Sequence, residues 1–96
     1  MEERIAKAKS LGAKHMVEIE EDGKYLFLKE PKKADYQAWF ALQKDDVILA
    51  NETVIRTLAI KEVSDMEIFD DIKSLGSVFG QLSEIMALKK STLKSL

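Results

Sequence analysis

The pair Asp22-Gly23 constrains this chain more than any other feature. It sits between Met16-Val17-Glu18-Ile19-Glu20-Glu21 and Lys24-Tyr25-Leu26-Phe27-Leu28-Lys29. An Asp-Gly dipeptide supplies two residues that tolerate positive φ, as a type I′ two-residue loop requires, so it predicts an antiparallel β-hairpin over residues 15–30. That loop pairs Ile19 with Leu26 and Val17 with Leu28, giving one aliphatic face. Glu18 then opposes Phe27, and Glu20 opposes Tyr25, on the other face. A three-residue loop slips the register by one and pairs Ile19 with Tyr25 and Val17 with Phe27 instead. The first register is expected, because it buries four aliphatics and leaves Glu18 and Glu20 in water. In both, the second strand is apolar on two faces, which a lone ribbon cannot cover. Helices are expected over one face. Tyr25 and Phe27 then lie half exposed or, together with the open strand edge, receive a partner.

The hairpin leads through Pro31 into a segment that carries the only tryptophan. Pro31 suits the first turn of a helix, where its missing N–H costs nothing, and Asp35 favours the positive end of the helix dipole. This helix should reach Gln43 with Tyr36, Trp39, Phe40 and Leu42 as its bulky residues. Trp39 and Phe40 are adjacent and point about 100° apart, so one of the aromatics belongs at a core edge or in a contact. Asp45 or Asp46 is a natural N-cap for a helix over 47–60. Its centre line is Val47, Ala50, Val54 and Leu58, flanked by Ile48 and Ile55. Asn51 falls inside that apolar arc. A buried amide needs partners, so it is expected to tie down loop or hairpin backbone, with a ligand contact as the alternative.

Both ends of the chain are predicted to be helical. Met1 to Leu11 carries a thin stripe of Ile5, Ala8 and Leu11 and stops at Gly12, a plausible C′ residue. So short a helix is marginal unless it docks. At the other end, Ser64 and Glu67 read as a capping box, with Val63 and Ile68 as its hydrophobic staple. Beyond them Ile68, Ile72, Leu75, Phe79, Leu82, Met86, Lys89, Leu93 and Leu96 recur in a heptad seam. One unbroken helix from Asp65 to Leu96 would be about 45–48 Å long and would project from a compact domain whose radius of gyration is near 13 Å. The alternatives are pairing with another chain or a bend, for which Gly76 and Gly80 are the candidates. The lysines at 89, 90 and 94 suit the negative end of the helix dipole.

The expected fold is therefore α+β and mostly helical. A short N-terminal helix (1–12) and a two-stranded antiparallel hairpin (15–30) precede three or four α-helices (31–96), all in one domain, as suits 96 residues. The formal charge of −2 gives no electrostatic reason to expect nucleic acid. The absence of cysteine excludes a disulfide framework and a thiolate metal site. Met1-Glu2-Glu3-Arg4 does not open a secretory signal, and no apolar run approaches the ~20 residues that span a bilayer, so a soluble intracellular protein is expected. No phosphate loop, Cys/His cluster or Ser-centred elbow occurs. His15 is the only histidine and reads as a strand-end residue. The acidic pairs Glu2-Glu3, Glu20-Glu21, Asp45-Asp46 and Asp70-Asp71 are next neighbours whose side chains diverge. Neither a catalytic group, nor a metal, nor another cofactor is expected.

Three stretches resemble small tail-assembly-chaperone-type proteins of tailed bacteriophages and prophages. They are the hairpin followed by Phe27-Leu28-Lys29-Glu30-Pro31 into a helix, the amphipathic helix from Asp46 to Ile60, and the run Leu82-Ser83-Glu84-Ile85-Met86-Ala87-Leu88-Lys89-Lys90 closing in Leu93-Lys94-Ser95-Leu96. The resemblance covers residues 25–96. Asn51–Thr57 holds neither the cysteine nor the tryptophan that some relatives place there. What the resemblance implies is a non-enzymatic protein of the bacterial host cytoplasm that coats apolar helices of the tape-measure protein and self-associates. Tyr25, Phe27, Tyr36, Trp39, Phe40, Ile72, Leu75, Phe79, Leu82, Met86 and Leu93 are the expected partner-binding or oligomer residues, by helix-in-groove or seam contacts. Asn51, Ser64 and Glu67 are the expected structural polar residues. The competing readings are a homo-oligomeric structural module and a small-ligand domain built around Asn51, Tyr36 and His15.

Overall fold

The computed structural model describes all 96 residues. Helix α1 (Glu2–Ser10) leads through Gly12 into strand β1 (Ala13–Ile19), which pairs antiparallel with strand β2 (Lys24–Lys29). Helices α2 (Lys33–Gln43) and α3 (Val47–Leu58) follow, then a 3₁₀ turn (Met66–Asp70) and helix α4 (Ile72–Ile85). The chain is thus α+β and mostly helical, as expected.

The hairpin closes in neither expected register. Val17 opposes Leu26, Ile19 opposes Lys24, Glu18 opposes Tyr25 and Met16 opposes Phe27. Of the two loop residues a type I′ turn needs at positive φ, only Gly23 has it, at 62°. The loop is instead the four residues Glu20 to Gly23, closed by the Asp22 and Gly23 amides on the Ile19 carbonyl at 3.2 and 3.0 Å. A slip of two from the expected register preserves the faces, because side chains alternate with period two. Val17, Ile19, Leu26 and Leu28 therefore still share one face.

That face carries the main core. It packs against Val54, Ile55 and Leu58 of α3, Ile68 and Phe69 of the 3₁₀ turn, and Leu75, Val78, Leu82 and Met86 around α4. Burying a leucine or isoleucine side chain contributes about 1.5–3 kcal/mol, so this layer dominates the stability. A second, smaller core lies on the opposite face, where Phe27 packs with Ala8, Ile60 and Val63. The hairpin is thus a middle layer, with α1 on one side and α3 and α4 on the other.

Helix α1 is docked rather than left to fray, and its anchor is Arg4. The Arg4 Nε–H donates to the Val63 carbonyl at 2.7 Å, and an Nη2–H donates to Asp65 Oδ2 at 2.8 Å. The guanidinium also lies 5.5 Å from the Tyr25 and Phe27 ring centres, within cation–π range. Gly12 ends the helix at φ 98°, where an L side chain is strained.

The C-terminal seam resolves differently from a long helix. Asp71 is extended (φ −112°, ψ 110°), so the chain breaks there and not at Gly76 or Gly80, both of which lie inside α4. The Asp71 carboxylate caps the new helix, accepting the Lys73 amide at 3.2 Å and the Ser74 hydroxyl at 2.8 Å. Ahead of the break, the 3₁₀ turn buries adjacent residues Ile68 and Phe69, which one α-helical stripe cannot centre together. Ser64 and Glu67 do not form a capping box. Ser64 Oγ accepts the Phe27 amide at 2.9 Å, and Glu67 lies 4.0 Å from the Lys24 ammonium. Beyond Met86 the residues are exposed and have no regular secondary structure. Pro31 precedes the Lys32 N-cap of α2 instead of entering its first turn, and Asp35 accepts the Lys32 amide at 2.7 Å.

Candidate interaction surface

Helices α2 and α3 pack together and are joined by Lys44-Asp45-Asp46, and the surface of interest lies around that corner. Asp46 caps α3 by accepting the Leu49 amide at 3.0 Å. Burial on α3 begins only at Ala50. The three preceding residues are consecutive and point in three directions, so no single neighbouring layer can cover them. Val47, Ile48 and Leu49 are 55, 64 and 47 % exposed, and Phe40, on the other side of the corner, is 45 % exposed. Val47 and Ile48, expected in the buried arc, are therefore surface residues.

Behind this corner the aromatics of α2 form a cluster of tilted rings. The Trp39 and Phe40 ring centres are 5.5 Å apart, and those of Tyr36 and Phe40 are 6.3 Å apart. The Trp39 indole N–H donates to Asn51 Oδ1 at 3.0 Å. Asn51 thus fixes the indole, and not the loop or hairpin backbone that was expected of it. Tyr36 and Trp39 are half-buried against the main core, so α2 presents one flank inward and leaves Phe40 outward.

The other expected contact residues divide sharply. Phe27, Leu75, Leu82 and Met86 are buried in the chain's own cores and offer no surface in this fold. Tyr25 and Phe79 are half-buried. The Tyr25 hydroxyl donates to Glu18 Oε2 at 3.1 Å, and that carboxylate raises the phenol pKa above its ordinary value. Ile72 opens α4 and is 71 % exposed, while Leu93 lies in the exposed segment after α4.

His15 Nε2 lies 2.8 Å from Glu30 Oε2, at the open end of the hairpin. The small hollow that His15 helps to line includes neither Tyr36 nor Asn51. A hollow of about 550 Å³ lies between the hairpin loop and α4, lined almost entirely by polar residues such as Glu20, Asp22, Lys73 and Gln81. No group of three or more His, Cys, Asp or Glu side chains is arranged to hold a metal ion. No helix is long and apolar enough to cross a membrane.

The sequence reading missed Arg4, Asp65 and the exposure of residues 47–49. Only the last had a signal: three successive apolar residues at a helix start exceed what one stripe can bury. No protein-family model, curated protein or solved structure matches the chain.

Proposed function

We propose that this chain is a non-enzymatic interaction protein that receives apolar helical segments of a partner protein at the α2–α3 corner. The partner fits the tape-measure protein of a tailed phage, and the setting fits the cytoplasm of the bacterial host. What carries the reading is the exposure of Phe40, Val47, Ile48 and Leu49 together around one corner. Consecutive exposed apolar residues such as 47–49 with a polar surround mark contact sites, and aromatic side chains such as Phe40 are favoured anchors in them. Corner residues Lys44, Asp45 and Asp46 supply the polar rim. The Trp39–Asn51 hydrogen bond holds the platform rigid, so little ordering is needed when a helix arrives.

The test is fluorescence anisotropy of a labelled amphipathic helical peptide from a tape-measure protein, titrated with the intact chain. Binding is expected, with Ile48→Glu weakening it by about tenfold or more. An Ile48→Glu chain that is folded by circular dichroism but binds equally well removes the corner from the role. A peptide that does not bind at all removes the role itself.

A further inference from the structure

The two edges of the hairpin have opposite fates. On β2, every outward backbone group of Tyr25 and Phe27 is taken by the segment 59–65. The Tyr25 amide donates to Asp65 Oδ2 at 2.8 Å and its carbonyl accepts the Asp65 amide at 2.8 Å. The Phe27 amide donates to Ser64 Oγ at 2.9 Å and its carbonyl accepts the Ile60 amide at 2.8 Å. In an antiparallel pair, residues whose polar groups point outward lie opposite one another. Tyr25 opposes Glu18 and Phe27 opposes Met16, so the amides and carbonyls of Met16 and Glu18 point out from the β1 edge. Nothing in the chain occupies them.

We infer that this β1 edge pairs with the β1 edge of a second copy, antiparallel, about a two-fold axis at Met16. The register follows from charge and polarity. An isologous antiparallel pair must bring outward-facing residues together, which restricts the axis to Met16, Val17 or Glu18. An axis at Glu18 sets two carboxylates face to face, and one at Val17 sets Met16 against Glu18 and Lys14 against Glu20, which lies past the end of β1 in the loop. An axis at Met16 sets methionine against methionine and Lys14 against Glu18 twice over. Opposite charges directly across a strand pair are stabilising, and like charges are destabilising. The same charges reject parallel pairing, which would bring Lys14 to Lys14.

The neighbouring structure fits this occupant. Met16 is 48 % exposed and lines, with Ile5, Ala8, Ala13 and Phe27 and with Lys9, Lys14 and His15, a hollow of about 230 Å³ into which a facing methionine can extend. Lys14 is exposed and is the extra residue of a β-bulge between Ala13 and His15, so the Lys14–Glu18 pairs sit at the two ends of the regular ladder. Glu18 is held by the Tyr25 hydroxyl through Oε2, which leaves Oε1 for the lysine. The inference does not depend on the α2–α3 corner or on what binds there.

The experiment is sedimentation equilibrium of the intact chain over a wide concentration range, with Lys14→Glu, Glu18→Lys, their equimolar mixture, and the double swap. The wild type is expected to be a concentration-dependent dimer. Each single reversal turns two attractive pairs repulsive and weakens it by about tenfold or more. The mixture and the double swap each restore it, because both re-create opposite charges. Hydrogen exchange supplies a second readout, with the Met16 and Glu18 amides slowing as the dimer forms. A monomer at every concentration, a dimer indifferent to both reversals, or a dimer in which those two amides exchange as in the monomer overturns the inference.

Discussion

Helices α2 and α4 make an instructive pair. α2 carries Tyr36, Trp39 and Phe40, yet none of its residues is fully buried. α4 contains two glycines, yet it buries Ser74, Leu75, Val78 and Leu82. The difference lies in what each helix faces. α4 packs on the aliphatic face of the hairpin and on α3, whereas α2 leans mainly on α3. Side-chain size sets how much a helix gains from burial, but the layer opposite decides whether it is buried at all.

The sharpest way to probe this contrast is to empty the α4 core. Leu82→Ala is expected to cost about 2–5 kcal/mol in urea unfolding, because a fully buried leucine leaves a cavity. A loss under about 1 kcal/mol would mean that α4 is no more deeply embedded than α2.

Next in size is the tie that holds α2. Asn51→Leu removes the acceptor of the Trp39 indole N–H and should cost about 0.5–1.5 kcal/mol. Tryptophan emission should shift to the red as the indole gains water. An unchanged spectrum would show that packing alone positions α2.

Acid acts on the cap of α4. The Ser74 hydroxyl, and then the Lys73 amide, hold the Asp71 carboxyl below its ordinary range. A depressed carboxyl contributes stability that is fully present above its unfolded value of about 4 and is lost as pH falls through the lower folded value. Amide exchange at Lys73 to Leu75 should therefore quicken below about pH 4, relative to intrinsic rates. Asp71→Asn should show a smaller acid effect there.

The smallest effects belong to the surface. Phe40→Ser is expected to change stability by no more than about 0.5 kcal/mol while weakening peptide binding, and removal of residues 87–96 should change stability as little. A large loss of stability from either would place that segment in the core.

Much of the fold was legible because periodicity reports which residues must be covered. The hairpin faces survived a wrong loop, since a slip of two residues leaves Val17, Ile19, Leu26 and Leu28 together. The Asp46 cap and the Gly12 stop followed from local chemistry. The heptad reading failed at Asp71, where a carboxylate with a serine three residues on could cap a new helix as readily as continue the old one. The candidate surface was half legible. Phe40 was named with its neighbours, and three successive apolar residues at 47–49 signal that one of them must face water, but not that all three do. Arg4 was invisible for a similar reason, since its partners lie some 60 residues away along the chain.

That distance has a consequence for how the molecule assembles. Contacts that close long loops form late unless other structure has already brought their ends together. Helix α1 precedes both β2 and residues 63–65 along the chain, but its seat requires them to be in place. A segment early in the chain is thus among the last to settle, and Arg4 works as a closing latch and not as a nucleus. Arg4→Ala should accordingly speed unfolding and leave the refolding rate nearly unchanged, whereas slowed refolding would place the latch at the start of the pathway.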